Sequence, residues 1–166
     1  MKKKRVLILD KERIAFKLRR MAYEIWERNS DEKEIVVIGI EGSGKIVAGN
    51  LVDLLKEISP LKIKYISIAI NKKSPLEFLF DDDENLSGKT VVLVDDVANS
   101  GKTLLYCLNG ILAYDLKKVM VAVLVDRKHK SFPIATDIVG HTVATTLQDH
   151  IEVETKGKKV MAVYLE

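Results

Sequence analysis

The chain has 166 residues, the length of one domain, and its 47% hydrophobic content is enough for a buried core. Its 27 basic and 24 acidic residues give a net charge of +3, too balanced to indicate nucleic-acid binding by charge alone. No apolar run approaches a membrane span, and the apolar run Val6 to Leu9 is too short for a signal peptide. We therefore expect one cytoplasmic domain, residues 1–166, with no membrane partner.

The first predicted elements alternate between helix and strand. Asp10 can cap a helix from Lys11 to Arg28, along which apolar residues recur on one face. The continuous apolar run from Glu34 to Ile40 is typical of a strand buried on both faces. A helix from Lys45 to Ile58 and a strand from Lys62 to Ile70 follow.

The alternation resumes after an irregular stretch from Asn71 to Lys89. Thr90 to Asp95 is a predicted buried strand, and Lys102 to Tyr114 is the helix that follows it. Another buried strand is predicted from Val119 to Val125. Strands that alternate with helices form a parallel sheet with right-handed crossovers, so the fold class is α/β.

The pattern changes after Val125. Asp126 to Lys130 is a charged turn, and Phe132 to Val139 contains a proline and short apolar pieces. Ile151 to Thr155 and Lys159 to Leu165 predict a terminal hairpin. This segment is too irregular to continue the sheet, so we expect it to fold over the strand ends as a small lid.

The most informative stretch is the junction between the predicted strand and helix around residue 95. Val91 to Val94 lead directly into two adjacent carboxylates, Asp95 and Asp96, and the polar turn Asn99 to Gly101 follows. Ligands of open α/β sheets bind at such junctions, where free N–H groups of the turn and of the first helical turn suit a phosphate. Paired carboxylates suit hydroxyl groups or a metal ion. The junction therefore predicts a site for a phosphorylated sugar.

Two glycine-containing loops leave a remote alternative open. Gly39 to Lys45 fits the G-x-x-x-x-G-K pattern of nucleotide triphosphatases, but Ile46 occupies the place of the hydroxyl residue that binds Mg²⁺. The loop that ends in Gly101-Lys102-Thr103 supplies this hydroxyl, but Asp96 occupies the place of the first glycine. Neither loop is a complete P-loop.

The stretch from Val91 to Leu104 (VVLVDDVANSGKTL) closely resembles the phosphoribosyl-pyrophosphate (PRPP) signature of type I phosphoribosyltransferases. Two further segments, ILDKERIAFKLRRMAYEIWERN and AVLVDRKHKSFPIATDIVGHTVATT, resemble parts of the bacterial regulators of pyrimidine operon attenuation, which are also uracil phosphoribosyltransferases. The likeness covers most of the chain. It implies a parallel-sheet core of about residues 1–125, flanked by helices, and a C-terminal hood of about residues 126–166.

The resemblance assigns a role to each part of the PRPP signature. Asp95 and Asp96 would bind the ribose hydroxyls, directly or through Mg²⁺, and would stabilise the positive charge that develops on the sugar. Mg²⁺ would neutralise the pyrophosphate leaving group. The loop for the 5-phosphate would consist of Val97, Ala98, Asn99, Ser100, Gly101, Lys102 and Thr103.

The resemblance also implies where pyrophosphate and base bind. The pyrophosphate loop would consist of Glu41, Gly42, Ser43 and Gly44. Where this sequence departs from the family, Lys45 is expected to offset the charge of Glu41, and Lys72 and Lys73 are candidates to reach pyrophosphate. The base would contact Ile138, Val139, Asp126 and Arg127. The implied reaction joins PRPP to a nucleobase, with uracil favoured, and the implied assembly is a homo-oligomer, either a dimer or a tetramer.

A nucleotide-sensing regulator that binds RNA is the second functional hypothesis. Its basis is a set of basic residues: Arg13, Lys17, Arg19, Arg20, Arg28, Lys128, His129 and Lys130. RNA binding needs a basic surface and weakens steeply with salt. A solvated helix face is the alternative interpretation of the same residues.

The remaining chemically reactive side chains are predicted to be structural. Cys107 lies in the helical pattern beside leucines and is expected to be a core thiol. His129, His141 and His150 have no metal-ligand spacing and are expected at the surface.

Overall fold

The structure is a computed structural model that describes residues 4–70, 78–80, 84–146 and 149–166. The elements are β1 (Val6–Leu9), α1 (Lys11–Glu27), β2 (Glu34–Ile40), α2 (Ser43–Ile58), β3 (Lys62–Ile70), β4 (Phe78–Phe80), β5 (Thr90–Ala98), α3 (Lys102–Ile111), β6 (Lys118–Arg127), β7 (Ile138–Val143), β8 (Ile151–Lys156) and β9 (Lys159–Leu165). The expected pyrophosphate contacts Lys72 and Lys73 lie outside the described residues.

A six-stranded sheet with the order β4-β3-β2-β5-β6-β7 forms the centre of the molecule. Its pairings are parallel except for the short edge strand β4, which runs antiparallel to β3. The predicted α/β class with a parallel sheet is therefore confirmed. The carboxyl ends of the parallel strands lie at one edge of the sheet, where Asp95 is in register with Val123 of β6.

Apolar side chains cover both faces of this sheet. Val92 and Val94 of β5 belong to the cluster that contains the buried faces of α1 and α2. The alternate residues Val91 and Leu93 belong to the cluster on the α3 side, because successive strand residues point to opposite faces. Helix α1 begins as predicted, since the Asp10 carboxylate accepts the N–H of Arg13 at 2.8 Å. Within the described residues, no helix is long and apolar enough to cross a membrane.

The expectation that the chain after Val125 is too irregular to continue the sheet is wrong. Strand β6 extends to Arg127, and β7 pairs parallel with it over Ile138–Val143. Strand β7 lies at the edge of the sheet, so alternate residues are only half-buried or exposed. Its sequence therefore lacks the continuous apolar run that predicts a buried strand.

The second sheet is three-stranded and antiparallel, with the order β1-β9-β8. The hairpin of β8 and β9 was predicted, but β1 was not. Strand β1 pairs with β9 through Val6 opposite Leu165, and no local pattern could reveal a partner so distant in sequence. This sheet packs against α1 and α2, and β8 contacts β5. It is the small hood, built from both ends of the chain.

Candidate active site

The strand β5 continues through the two carboxylates to Ala98, beyond its predicted end. Asp95 is buried, and one of its carboxylate oxygens accepts the backbone N–H of Asp96 at 2.9 Å. Asp96 is half-buried and accepts the N–H of Val97 at 2.8 Å in the same way. Both carboxylates are therefore held at the strand end by the backbone that follows them.

Burial raises the pKa of Asp95 well above its ordinary value, and the negative charge of Asp96 acts in the same direction. A cation or hydroxyl groups placed beside the pair would lower the free-energy cost of ionising both carboxyl groups. No group of three or more metal-ligating side chains occurs among the described residues. Two carboxylates fit Mg²⁺, which usually takes one or two protein ligands and fills its shell with water and substrate oxygens.

The loop after β5 closes around a cavity of about 180 Å³. Gly101, with a φ of 83°, precedes α3, and the Ser100 hydroxyl accepts the N–H of Lys102 at 3.2 Å. The residues that line the cavity are Asp95, Asp96, Val97, Ala98, Asn99, Ser100, Gly101, Thr103 and Leu104. The structure thus brings together the predicted acidic pair and all of the predicted phosphate loop except Lys102. The ammonium of Lys102 lies 5.8 Å from the ring centre of Tyr106 instead.

The segment after β6 packs directly on the phosphate loop. The N–H of Phe132 donates to the Ser100 carbonyl at 2.9 Å. A Cβ atom on Gly101 would lie 2.5 Å from Cγ2 of Ile134 and 3.3 Å from the Phe132 carbonyl oxygen. Glycine is required here both by the positive φ and by this close approach.

The predicted pyrophosphate loop is a short turn at the start of α2. Only Glu41 and Gly42 separate β2 from α2, and Gly42 precedes the helix with a φ of 95° and no side-chain cap. The N–H groups of the first helical turn are suited to an anion. The Glu41 carboxylate pairs with Lys45 at 3.2 Å, which offsets its charge as expected. A two-residue connection cannot wrap around a triphosphate, which argues against the P-loop alternative.

The expected base contact of the Ile138 side chain is not available in this structure. Ile138 is fully buried in the core cluster on the α1 side, because β7 is part of the sheet. The carbonyl oxygens of Val139 and Gly140 both accept hydrogen bonds from Arg20 Nη2, at 2.9 and 2.8 Å. Ile138 and Val139 therefore support the edge strand, and we do not retain them as base contacts.

Asp126 and Arg127, the other expected base contacts, lie at the end of β6. Asp126 accepts hydrogen bonds from Lys130 Nζ at 2.7 Å and from the Thr136 hydroxyl at 3.0 Å. Arg127 donates from Nε to the Thr145 hydroxyl at 2.7 Å. Both side chains are thus anchored by the segments that follow β6 and β7.

Arg127 lines a second cavity, of about 450 Å³, that adjoins the phosphate loop. Its lining residues are Asn99, Ser100, Arg127, His129, Ser131, Asp149 and His150. Asn99 and Ser100 line both cavities, so the two are neighbours. His129, Ser131, Asp149 and His150 were not predicted to lie beside the phosphate loop. They come from two separate loops, and no spacing in the sequence links these loops.

The structure tests the other predictions for reactive side chains. Cys107 is buried as expected, and burial raises the pKa of its thiol to about 12. His129 and His150 are exposed, as expected for surface residues. His141 is half-buried, and burial together with the charges of Lys17 and Arg13 lowers its pKa.

Comparisons with known proteins agree with this architecture. Residues 7–161 match the Phosphoribosyl transferase domain family. The bifunctional protein PyrR of Fusobacterium nucleatum is 34% identical over 177 aligned positions, which cover 98% of this chain and 99% of that protein. The pyrimidine operon regulatory protein of Lactococcus lactis is 32% identical and covers 89% of this chain and 88% of its own length.

Solved structures share the fold at lower identity. The hypoxanthine phosphoribosyltransferase of Trypanosoma cruzi superposes with a TM-score of 0.81 at 14% identity, over 97% of each chain. A hypoxanthine-guanine phosphoribosyltransferase from Bacillus anthracis has a TM-score of 0.72 at 20% identity and covers 84% of this chain and 82% of its own. The family match over most of the chain, the PyrR relatives and the shared fold together place this chain in the phosphoribosyl transferase domain family.

Proposed function

We propose that the protein is a cytoplasmic, Mg²⁺-dependent enzyme that transfers the phosphoribosyl group of PRPP to uracil, giving uridine monophosphate and pyrophosphate. One observation carries the proposal: the acidic pair and the phosphate loop line the same cavity at the carboxyl end of β5. A ligand that has both hydroxyl groups and a phosphate a few bonds apart fits such a cavity, and PRPP is a ligand of this kind.

The 5-phosphate would lie against the turn that ends at Gly101. Backbone N–H groups of the turn and of the first turn of α3, with the hydroxyls of Ser100 and Thr103, would donate to it. The Ser100 oxygen already accepts the N–H of Lys102, so its own hydrogen remains free to point at the ligand. Each such donor is worth roughly 1–3 kcal/mol when the ligand is charged.

The carboxylates of Asp95 and Asp96 would face the ribose. As the bond to pyrophosphate breaks, positive charge develops on the sugar, and adjacent carboxylates stabilise that charge. The same carboxylates would hold Mg²⁺, directly or through the ribose hydroxyls, and the ion would supply positive charge that neutralises the leaving group. The N-terminus of α2, with its uncapped N–H groups after Gly42, would receive the pyrophosphate.

The base would occupy the second cavity, which adjoins the phosphate loop through Asn99 and Ser100. Arg127 and His129 offer hydrogen-bond donors there, and the Ser131 hydroxyl offers an acceptor. A pyrimidine with two carbonyl oxygens and two N–H groups can use both. Uracil is favoured because relatives are named as regulators of a pyrimidine operon.

Turnover of labelled uracil with PRPP and Mg²⁺ tests the proposal, with hypoxanthine and guanine as competing bases. We expect uridine monophosphate to form, and we expect Asp96→Asn to lower kcat by about 100-fold. Asp53→Asn, an exposed aspartate of α2, is the matched control and should leave turnover unchanged. Absence of turnover with every base, despite a folded protein, would reject the enzymatic proposal.

A second proposed function is RNA binding, favoured by a depression of about 430 Å³ between α1, the end of β1 and the edge strand β7. Its lining residues are Leu9, Arg13, Phe16, Lys17, Arg20 and His141. Phe16 is 69% exposed, so an aromatic ring stands among cations, an arrangement that suits an unpaired base and its phosphates. Three members of the predicted basic set are engaged elsewhere: Arg19 pairs with Glu57, Arg20 with Glu24 and Lys130 with Asp126. Arg13 and Lys17 are therefore the residues chosen for the test.

A gel-shift assay with pyrimidine leader RNA, with and without uridine monophosphate, tests this second function. Arg13→Ala/Lys17→Ala should weaken binding and reduce its salt dependence, because two phosphate contacts are lost. Lys158→Ala/Lys159→Ala on the β8–β9 hairpin is the charge-matched control. Equal weakening by both pairs of substitutions, or no shift at low salt, would reject RNA binding at this depression.

We also propose that the protein is a homo-oligomer, either a dimer or a tetramer. Analytical sedimentation of the same samples measures the oligomeric state.

A further inference from the structure

The first turn of α2 lies in direct contact with Asp95. A Cβ atom on Gly44 would stand 2.6 Å from Asp95 Oδ1 and 3.2 Å from Asp95 Cα. Real Cβ atoms do not approach an oxygen so closely, and the Cα belongs to a strand that cannot move alone. The space beside Gly44 is therefore occupied by the Asp95 carboxyl group.

The backbone does not itself require glycine at this position. Gly44 is the second residue of α2 and is buried in the helix, without the positive φ of Gly42. Alanine is a better helix former than glycine wherever its methyl group has room. The contact with Asp95 is thus the feature of the structure that excludes a side chain from residue 44.

Asp95 is restrained from two sides. One carboxylate oxygen accepts the N–H of Asp96, and the same oxygen is the atom nearest to Gly44. Only 8% of the residue is exposed, so the carboxyl group has little freedom to choose another orientation. The position of the Asp95 carboxyl group at the cavity therefore depends on the absence of a side chain at residue 44.

We propose that Gly44 is a positioning residue for Asp95, so that the turn for pyrophosphate and the carboxylates for ribose are one mechanically coupled unit. The inference rests on the proposed function and deepens it. A displacement of the first turn of α2 must move Asp95, and a displacement of Asp95 must move that turn. A PRPP molecule bound both at the first turn of α2 and at the carboxylates would therefore have to fit a fixed distance between these two parts of the site.

The test is a double-mutant cycle of Gly44→Ala and Asp95→Ala, measured by PRPP–Mg²⁺ binding in calorimetry and by steady-state turnover. Gly44→Ala alone should lower kcat/KM for PRPP by about 100-fold, the usual effect of misplacing a catalytic group by about 1 Å. In the Asp95→Ala background, where the carboxyl group is gone, the same substitution should have little further effect.

Gly49→Ala is the matched control, because this glycine also lies in α2 and its added Cβ would meet Tyr65 only at 3.7 and 3.9 Å. It should bind PRPP as the unsubstituted protein does. Additive effects in the cycle, or full PRPP affinity in Gly44→Ala, would overturn the coupling. If Gly44→Ala is too unstable to assay, urea unfolding replaces binding: the 3.2 Å contact with Cα of residue 95 remains in Gly44→Ala/Asp95→Ala, but the contact with the carboxyl group is gone. Asp95→Ala should therefore stabilise Gly44→Ala by more than it stabilises the unsubstituted protein, and an equal effect in the two backgrounds rejects the coupling. A failure of the unsubstituted protein to bind PRPP would instead reject the proposed function.

Discussion

Lys130 and Asp126 form an ion pair at the end of β6, with 2.7 Å between Nζ and Oδ1. The side chains are only 12% and 14% exposed, so the pair is largely shielded from water. The Lys130 stem also lies 3.5 Å from the place that a Cβ of Gly101 would occupy. The pair therefore holds the segment after β6 against the phosphate loop.

Removing the cation of this pair should destabilise the protein. In Lys130→Met the Asp126 carboxylate keeps the hydrogen bond from Thr136 but loses its charge partner, so we expect the free energy of unfolding to fall by about 3 kcal/mol. Urea unfolding measures the change. Lys62→Met is the control, because Lys62 is 81% exposed in its pair with Glu34 and should contribute less than about 1 kcal/mol. Equal losses in the two variants would contradict the prediction.

Gly101→Ala should destabilise the protein more than Gly157→Ala, although both glycines have a strained backbone conformation. Both Gly101 and Gly157 have positive φ, but a Cβ on Gly157 meets nothing within 4 Å. Gly157→Ala should therefore cost only the strain, about 1 kcal/mol, whereas Gly101→Ala adds an overpacking cost of about 2 kcal/mol against Ile134. Thermal unfolding gives both values, and calorimetry with PRPP–Mg²⁺ should show lost binding only for Gly101→Ala. Similar costs at both positions would show that the contact with Ile134 is easily relieved.

The raised pKa of Asp95 predicts how stability depends on pH. In the unfolded chain this carboxyl ionises near its ordinary pKa, whereas the folded protein retains the proton to higher pH. Its contribution to stability is full below the ordinary value of about 4 and is lost as the pH rises through the folded pKa. Asp95→Asn cannot ionise, so its melting temperature should exceed that of the unsubstituted protein by a margin that grows from pH 4 to neutral pH. The measurement is made without PRPP or Mg²⁺, and a margin independent of pH would contradict it.

Cys107 should be inert in the folded protein. Its side chain is buried, and the pKa of the thiol is raised to about 12 by burial and by the charge of Asp95. The thiolate is the reactive form, so at pH 8 almost none is present and a disulfide reagent also has no access. We expect labelling only in urea. Rapid stoichiometric labelling of the native protein would show that α3 opens readily from the sheet.

The sequence by itself determined the elements whose signals are local. Asp10 caps α1 as its side-chain chemistry predicts, and the apolar runs of β2, β5 and β6 became central strands because such runs can be buried on both faces. The acidic pair and the turn to Gly101 are adjacent in the chain, so their shared cavity follows from one strand-to-helix junction.

Only the tertiary structure decided the features that depend on distant partners. The strand β1 exists through pairing with β9, and β7 is an edge strand with too little continuous apolar sequence to be recognised. That placement buries Ile138 and removes it from the expected base site. The second cavity and the contact between Gly44 and Asp95 join residues from separate loops and strands. Such contacts are set by how the packed elements approach one another, and neither propensity nor periodicity encodes that distance.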